Sequence, residues 1–236
     1  MQLPGPPSLV FAAFVLVVLP LAAFRSAARL RAARAAGRPL PPRIAIWKST
    51  LFAQALLLFL AIFTGQGFGF FAALPAPRLD AKSLGATAGA FVASFLLRLV
   101  ARAIHTEDER RRLFVFTLAP RTRAEFALAA LTVLVASLAE EVTYRGVLYA
   151  IIWYAFGSPW PAVFLSALAF ALAHATQGWK SAAVIYAIGL CLHGLVAVTG
   201  TLAYAVLVHA TYDLIAGWLI AREAARLDAT PAPAAG

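Results

Sequence analysis

Two adjacent glutamates interrupt an apolar run of the chain. Glu140 and Glu141 stand in the stretch 137–146, SLAEEVTYRG, with long apolar segments on both sides. A charged side chain near the middle of a membrane-spanning helix costs roughly 2.5–3.5 kcal/mol on insertion scales. The two carboxylates and the guanidinium of Arg145 must therefore find partners or water inside the protein. This stretch is the first candidate for chemistry.

The spacing of these charged residues gives the two carboxylates different roles. In a helix that turns by about 100° per residue, Glu141 and Arg145 share a face one turn apart. The acid precedes the base, which is the favourable order for an ion pair. Glu140 points elsewhere and shares its face with Tyr144. We expect Glu141 to hold Arg145, and the desolvated Glu140 to be available as a general base.

Two histidines and an aspartate on later apolar segments complete a set of catalytic groups. His209 and Asp213 are four residues apart, so the carboxylate can orient the imidazole and select its tautomer. His174 follows Phe170 at the same spacing. Three helices can thus present one acid and two imidazoles to a common interior point. Such a group can activate a water molecule for attack on a carbonyl and stabilise the oxyanion that forms.

The same residues also allow purely structural interpretations. Glu141 and Arg145 can form an interior salt bridge that only fixes helix packing. His209 with Asp213 can be a buried hydrogen-bonded pair, and His174 can lie at a helix end near the membrane interface. Two further histidines are given no catalytic role, since a packing residue is predicted at position 193 and a solvated loop residue at position 105.

The elements that must position these residues are membrane-spanning helices. Of the 236 residues, 62% are apolar and only 13% are charged. A soluble domain cannot cover its surface with so few charged groups, so the composition predicts an all-α, polytopic transmembrane bundle. About seven apolar segments come near the spanning length of about 20 residues. They are 8–24, 44–64, 84–104, 124–156, 160–177, 181–198 and 201–221.

A single integral membrane domain is the economical description of the chain. It covers residues 1–228, with the motif-bearing core at 124–221. The Pro- and Ala-rich segment 229–236 is predicted to be a disordered tail. Cys191 is the one cysteine, which excludes a disulfide within the chain and a zinc site of the CxxC type.

The net charge of +10 comes from basic residues clustered between apolar segments. Such clusters suit anionic lipid headgroups better than nucleic acid, so we predict a lipid bilayer as partner and no nucleic acid. By the positive-inside rule, the arginine-rich segments 25–43 and 102–123 and the C-terminus are cytoplasmic, and the N-terminus lies outside. The segment 105–123 is predicted to be amphipathic and to lie on the inner membrane surface.

Three short motifs, taken in order, resemble the motif set of the CPBP family of intramembrane proteases. They are EEVTYR (Glu-Glu-x-x-x-Arg), FALAH (Phe-x-x-x-His) and HATYD (His-x-x-x-Asp). That family includes the CAAX prenyl endopeptidases of the Rce1 type and the bacterial Abi proteins. The resemblance covers about residues 124–217. It implies an intramembrane endopeptidase that cleaves a membrane-anchored protein near its membrane-embedded C-terminus.

The resemblance also implies roles for the individual residues. The family commonly has Asn where this chain has Asp213. An ionised aspartate cannot donate a hydrogen bond to an oxyanion, so orientation of His209 becomes its expected role. The implied assignment is Glu140 and His174 for water activation, His209 and Asp213 around the oxyanion, and Glu141 and Arg145 for shaping the site.

Metal-free, glutamate-type chemistry is the favoured mechanism, with no cofactor. One glutamate and two histidines can ligate Zn²⁺ and leave a fourth position open, so zinc stays an alternative. The chain lacks the HExxH arrangement that places two imidazoles on one helix face.

The Ala- and Arg-rich composition is typical of a GC-rich bacterial genome, where protein prenylation is not expected. We therefore expect a protein of the bacterial inner membrane that processes a C-terminal sorting segment. A non-proteolytic immunity or scaffold protein of the same fold is the alternative function. A proton-coupled transporter is a third, although the sequence shows no repeat or pair of broken helices.

The predicted spans raise a geometric problem for the site. If residue 124 marks the inner membrane surface, Glu140 lies about 24 Å along its helix, at about 1.5 Å per residue, and past the midplane. His174 would lie near the inner end of the span 160–177. The two side chains then meet only if the helix of Glu140 begins inside the cytoplasm or bends.

Overall fold

The computed structural model describes residues 4–71 and 74–229, and all regular structure within them is helical. The helices are α1 (Pro6–Ala35), α2 (Arg43–Gly67), α3 (Ala81–Ile104), α4 (Glu107–Arg112), α5 (Phe114–Leu118), α6 (Arg123–Phe156), α7 (Pro159–Ala173), α8 (Trp179–Thr199) and α9 (Ala203–Ala229). A 3₁₀ turn at Ala175–Gln177 separates α7 from α8. The predicted tail lies outside the described residues from residue 230 onward.

Six of these helices are long and apolar enough to cross a membrane: α1, α2, α3, α6, α8 and α9. The apolar α7 has only 15 residues, or about 22 Å at about 1.5 Å per residue. The hydrocarbon core of a bilayer is about 30 Å thick. The all-α, polytopic prediction is confirmed: among the described residues, six helices have the length and apolarity of a membrane span, and the seventh of the about seven predicted spans corresponds to the shorter helix α7.

The short α7 has His174 at its C-terminal end, which is one of the interpretations that the sequence left open for this residue. The apolar run was expected to stay helical to residue 177, but α7 ends at Ala173. The ring nitrogen Nδ1 of His174 donates to the carbonyl of Phe170 at 2.8 Å, which satisfies one of the terminal carbonyls. His174 therefore lies at the end of α7, partly buried and close to Glu140.

The helix of Glu140 does not need to project beyond its neighbours. Arg43, the first residue of α2, donates to Glu125 at the start of α6 over 3.2 Å, so the two helices begin at the same level. A capping box between Thr122 and Glu125 fixes that start. At 34 residues, α6 is about 51 Å long and reaches well past the site in the other direction.

The middle of α6 widens into a π-helical segment, Glu141–Leu148, directly after Glu140. All eight residues of the segment are buried. Gly146 of this segment lies beside the ring of Phe70 and the side chain of Leu202. A Cβ at this position would come within about 3.1–3.2 Å of both side chains. π-Helical turns are rare in proteins, and those that occur often lie at functional sites. Here the segment carries Glu141 and Arg145 into the core.

The packing of the long helices encloses this segment. In the bundle, α2 runs along α6, α3 runs along α8, and α7 packs on both α6 and α8. The last helix, α9, contacts α3, α6 and α8. The apolar core is formed around the second half of α6 and includes Val147, Leu148, Ile151 and Phe170. Three helices thereby face one another at the level of Glu140.

One end of the bundle collects most of the basic side chains, together with α4 and α5. Phe116 of α5 packs there against Ala221 and Ala224 of α9. His105 lies at the same end, where it is buried and its Nδ1 donates to the carbonyl of Ala101 at 2.6 Å. The prediction of a solvated loop residue at His105 was therefore wrong. Ion pairs also join the helices at this basic end: Arg43–Glu125, Arg110–Glu223 and Lys180–Glu109.

Candidate active site

Glu140, His174 and His209 come together from three different helices. The carboxylate oxygen Oε2 of Glu140 lies 4.0 Å from Nε2 of His174 and 3.7 Å from Nε2 of His209. Glu140 and His209 are buried, and the side chain of His174 is 24% exposed. The structure therefore places one acid and two imidazoles around a common interior point, which is the arrangement hypothesised for these three residues.

Glu141 connects two parts of the site. Its Oε1 accepts from Nη1 of Arg145 at 3.0 Å and from Nδ1 of His209 at 2.7 Å. The side chains of Glu141 and Arg145 are fully buried. The pair expected from the four-residue spacing is present. The contact between Glu141 and His209 was not foreseen, because it depends on how α9 packs against α6.

Asp213 is the other carboxylate beside His209. Its Oδ2 lies 3.4 Å from Nε2 of that ring, and its side chain is 40% exposed. The shorter contact of the imidazole is the one with Glu141, on the opposite nitrogen. His209 thus lies between two carboxylates, and its contact with Glu141 has the better hydrogen-bond distance.

The hydrogen bonds of the two rings define what their remaining nitrogens can do. In His174, Nδ1 faces a carbonyl oxygen, which only accepts, so Nδ1 carries the hydrogen. In the neutral ring, Nε2 then presents a lone pair toward Glu140. In His209, both nitrogens face carboxylate oxygens. When those carboxylates are ionised, both nitrogens must donate.

Phe170 is the apolar centre of the site. The guanidinium carbon of Arg145 lies 4.1 Å from the centroid of its ring, which is a cation–π contact. The two motif histidines also contact this ring, with centroid separations of 4.8 Å for His174 and 5.9 Å for His209. Tyr144, which shares the face of Glu140, meets it at 5.3 Å. The Phe of the second motif therefore packs against residues of all three motifs.

Gln54 of α2 is a site residue that the sequence analysis missed. Its Nε2 donates to Oε1 of Glu140 at 2.7 Å. The only sequence signal is an amide side chain in the middle of the apolar stretch 51–63. No local spacing relates α2 to α6, so the contact emerges only from tertiary packing.

His193 has a partner away from this cluster. Its Nε2 lies 2.8 Å from the hydroxyl oxygen of Ser166, and both side chains are buried. Its ring also packs against Tyr149, with centroids 5.7 Å apart. His193, which was expected to be a packing residue, thus forms a hydrogen bond with a side chain of α7.

A cavity of about 430 Å³ opens beside the cluster. Its wall includes His174, His209 and Asp213, and it continues to Arg102 and Glu223 at the basic end. Apolar side chains line most of the path, among them Phe116, Phe126, Val184, Ile188 and Trp218. The cavity therefore extends from the basic end to the two imidazoles along a mostly apolar wall.

Ligation of Zn²⁺ by the same groups is the alternative chemistry of this site. Among the residues that the structure describes, no cluster of three or more His, Cys, Asp or Glu side chains has an arrangement that could hold a metal ion. The donor types of Glu140, His174 and His209 are nevertheless those that Zn²⁺ accepts.

Comparison with known proteins adds one finding. Residues 122–215 match a family model described as Rce1-like, type II CAAX prenyl endopeptidase Rce1-like. The matched part begins at Thr122, which caps α6, and ends two residues beyond Asp213. All six predicted site residues lie within it, whereas Gln54 lies outside. No curated protein and no solved structure matches the chain.

Proposed function

Taking as premise that residues 122–215 are an Rce1-like domain of the type II CAAX prenyl endopeptidase kind, we propose a function for the whole membrane protein. It is an intramembrane endopeptidase that hydrolyses a peptide bond near the membrane-embedded C-terminus of a substrate protein. The observation that carries the proposal is the meeting of Glu140, His174 and His209 around one point. A buried acid with two imidazoles is what water activation requires.

In the first step, a water molecule between Glu140 and His174 attacks the substrate carbonyl. The separation of 4.0 Å is too long for a direct hydrogen bond and suits two groups bridged by water. As the carbon–oxygen bond forms, Glu140 takes the water proton while the lone pair on Nε2 of His174 orients the same water. General-base catalysis of this kind contributes about 10²–10⁴-fold.

In the second step, the tetrahedral oxyanion is held by His209. With hydrogens on both ring nitrogens, His209 keeps Nδ1–H on Glu141 and directs Nε2–H to the oxyanion. The nearby carboxylate of Asp213 offsets the positive charge of the ring without donating a hydrogen bond itself. As the intermediate collapses, the carbon–nitrogen bond breaks and the proton on Glu140 passes to the departing amine.

The pair of Glu141 and Arg145 supports these steps without contacting the reacting atoms. Arg145 is held by Glu141 on one side and by the face of Phe170 on the other. It thereby fixes the carboxylate that positions His209. This arrangement supports a shaping role for both residues.

The cavity gives the substrate its route. The basic end of the bundle lies in the cytoplasm by the positive-inside rule, which places the N-terminus outside and the C-terminus inside. The cavity leads from that end to His174 and His209. A substrate enters from the cytoplasmic side, with its apolar C-terminal segment in the channel. We propose that the protein acts in a bacterial inner membrane on a sorting segment rather than on a prenylated chain.

The test uses purified protein in proteoliposomes and two internally quenched probes. One is a peptide with an apolar C-terminal transmembrane segment, and the other carries an S-farnesyl cysteine followed by three residues. Products are identified by mass spectrometry in H₂¹⁸O. We expect cleavage of the first probe, with ¹⁸O in the new carboxyl group, and no cleavage by the His174→Gln variant. Cleavage of only the farnesylated probe would reverse the substrate assignment. Cleavage of neither probe would favour the scaffold function.

The same assay separates the two mechanisms for the water. Turnover that survives prolonged treatment with EDTA supports the glutamate-type mechanism that we propose. Turnover that is lost with EDTA and restored by added Zn²⁺ would instead establish the metalloprotease mechanism.

A further inference from the structure

The amide of Gln54 makes a close contact with the catalytic carboxylate from outside the matched domain. Its Nε2 lies 2.7 Å from Oε1 of Glu140, which is within the range of a charge-assisted hydrogen bond. Oε1 is thereby occupied on the α2 side. The other oxygen of Glu140, Oε2, is left facing His174 and His209.

The amide is not explained by helix packing. Its Oε1 is buried and has no hydrogen-bond partner among the described residues. A buried polar atom without a partner destabilises the fold, and an apolar residue of similar size would avoid that cost. The neighbours of Gln54 on α2 are Ala53 and Ala55, within an apolar stretch. Among the described residues, the hydrogen bond that this side chain makes is the one to Glu140.

We propose that Gln54 is a positioning residue of the hydrolytic site, which rests on the function proposed above. By donating to Oε1, it fixes the rotation of the Glu140 carboxylate so that Oε2 lies between the two imidazoles. It also stabilises the ionised carboxylate that accepts the water proton. The groups around Glu140 that carry or exchange protons are Glu141 and Tyr144 on α6 with Arg145, His174 at the end of α7, and His209 with Asp213 on α9.

The test compares three single variants in the proteoliposome assay. Gln54→Leu removes the donor, and Gln54→Glu replaces it with a carboxyl group of the same shape. Gln66→Leu is the matched control, because it makes the same change on the same helix at an exposed position. The transmembrane probe described above serves as substrate throughout.

We expect Gln54→Leu to reduce kcat by about 10-fold or more while KM changes little, because a charge-assisted hydrogen bond is lost at the base and not at the substrate. The acid limb of its kcat profile should move upward by about one pH unit. Gln54→Glu should reduce kcat further at neutral pH, because two carboxylates then face each other. Gln66→Leu should behave as the parent.

Two outcomes overturn the proposal. Equal kcat values for Gln54→Leu and Gln66→Leu would show that the hydrogen bond has no functional effect. A loss of kcat in Gln54→Leu without movement of the pH profile, matched by a loss of folded protein, would show a structural role alone. Failure of the proposed function is recognised separately, since the parent protein would then cleave neither probe.

Discussion

Substitutions in the buried pair of Glu141 and Arg145 should have separable effects on the stability of the fold and on turnover. Removing one partner of a buried ion pair costs about 3–5 kcal/mol, because the other charge stays in a medium that solvates it poorly. Arg145→Met also removes the guanidinium from the face of Phe170, a contact of up to about 2 kcal/mol when desolvated. We therefore expect Arg145→Met alone to lower the free energy of unfolding by several kcal/mol.

The double variant Glu141→Leu, Arg145→Met should recover part of that loss, because it leaves no unpaired charge at position 141 but deprives Nδ1 of His209 of its carboxylate partner. Well-packed apolar replacements of a buried pair are often neutral or stabilising by about 1–4 kcal/mol. Its turnover should nevertheless stay low, by about 10²–10⁴-fold, because Nδ1 of His209 has lost its acceptor. Stability is measured by reversible unfolding in mixed micelles with increasing SDS, and turnover with the transmembrane probe.

The ion pair of Arg43 and Glu125 at the basic end serves as the control for the loss of a charged side chain. The side chain of Arg43 is 37% exposed and pairs with Glu125 at 3.2 Å. Replacing Arg43 by Met should change the stability by about 1 kcal/mol or less. If Arg145→Met were as stable as the parent, the account of the buried charges would be refuted. If the double variant kept full turnover, the pair would be a packing feature only.

Three further predictions concern the surroundings of the site. Phe170→Ala should lower the free energy of unfolding by about 3–5 kcal/mol. Phe170→Leu should retain most of the stability but lose turnover. Unchanged turnover in both variants would exclude a role for the ring. Asp213→Asn should keep turnover within about 10-fold of the parent, since an amide can donate a hydrogen bond to the oxyanion. Asp213→Ala should lose more turnover. Equal losses of turnover in the two variants would argue against hydrogen-bond donation from this position. The hydrogen bond from Lys180 holds the pKa of Glu109 below its ordinary value of 4.5. Protection of α4 in hydrogen exchange, corrected for intrinsic rates, should therefore persist above pH 4.5 and fall at lower pH, with no such change in Glu109→Gln.

Local spacing predicted the parts of the site that lie within one helix. The four-residue separation of Glu141 and Arg145 brings the two side chains together in any continuous helix, and the pair is present at 3.0 Å. The same rule brings Asp213 to His209 at 3.4 Å. The apolar composition, with few charged residues, likewise predicted an all-helical membrane bundle. These features depend only on helical geometry and hydrophobicity.

Contacts between helices were beyond the reach of the same reasoning. Gln54 reaches Glu140, and Glu141 reaches His209, only because α2 and α9 pack against α6 in one particular register. The end of α7 at Ala173 corresponds to the alternative in which His174 lies at a helix end, and hydropathy alone does not show where within the predicted span 160–177 the helix ends. The burial of His105 depends in the same way on tertiary packing.

The central claim is that Glu140 activates the water that cleaves the substrate. The most direct measurement is the kcat of Glu140→Gln on the transmembrane probe, beside Glu109→Gln, which makes the same change at an exposed carboxylate. Both variants should unfold like the parent. We predict that kcat falls by about 10²–10⁴-fold in Glu140→Gln and stays at the parent's value in Glu109→Gln. Parent-like turnover by a folded Glu140→Gln variant would contradict the account.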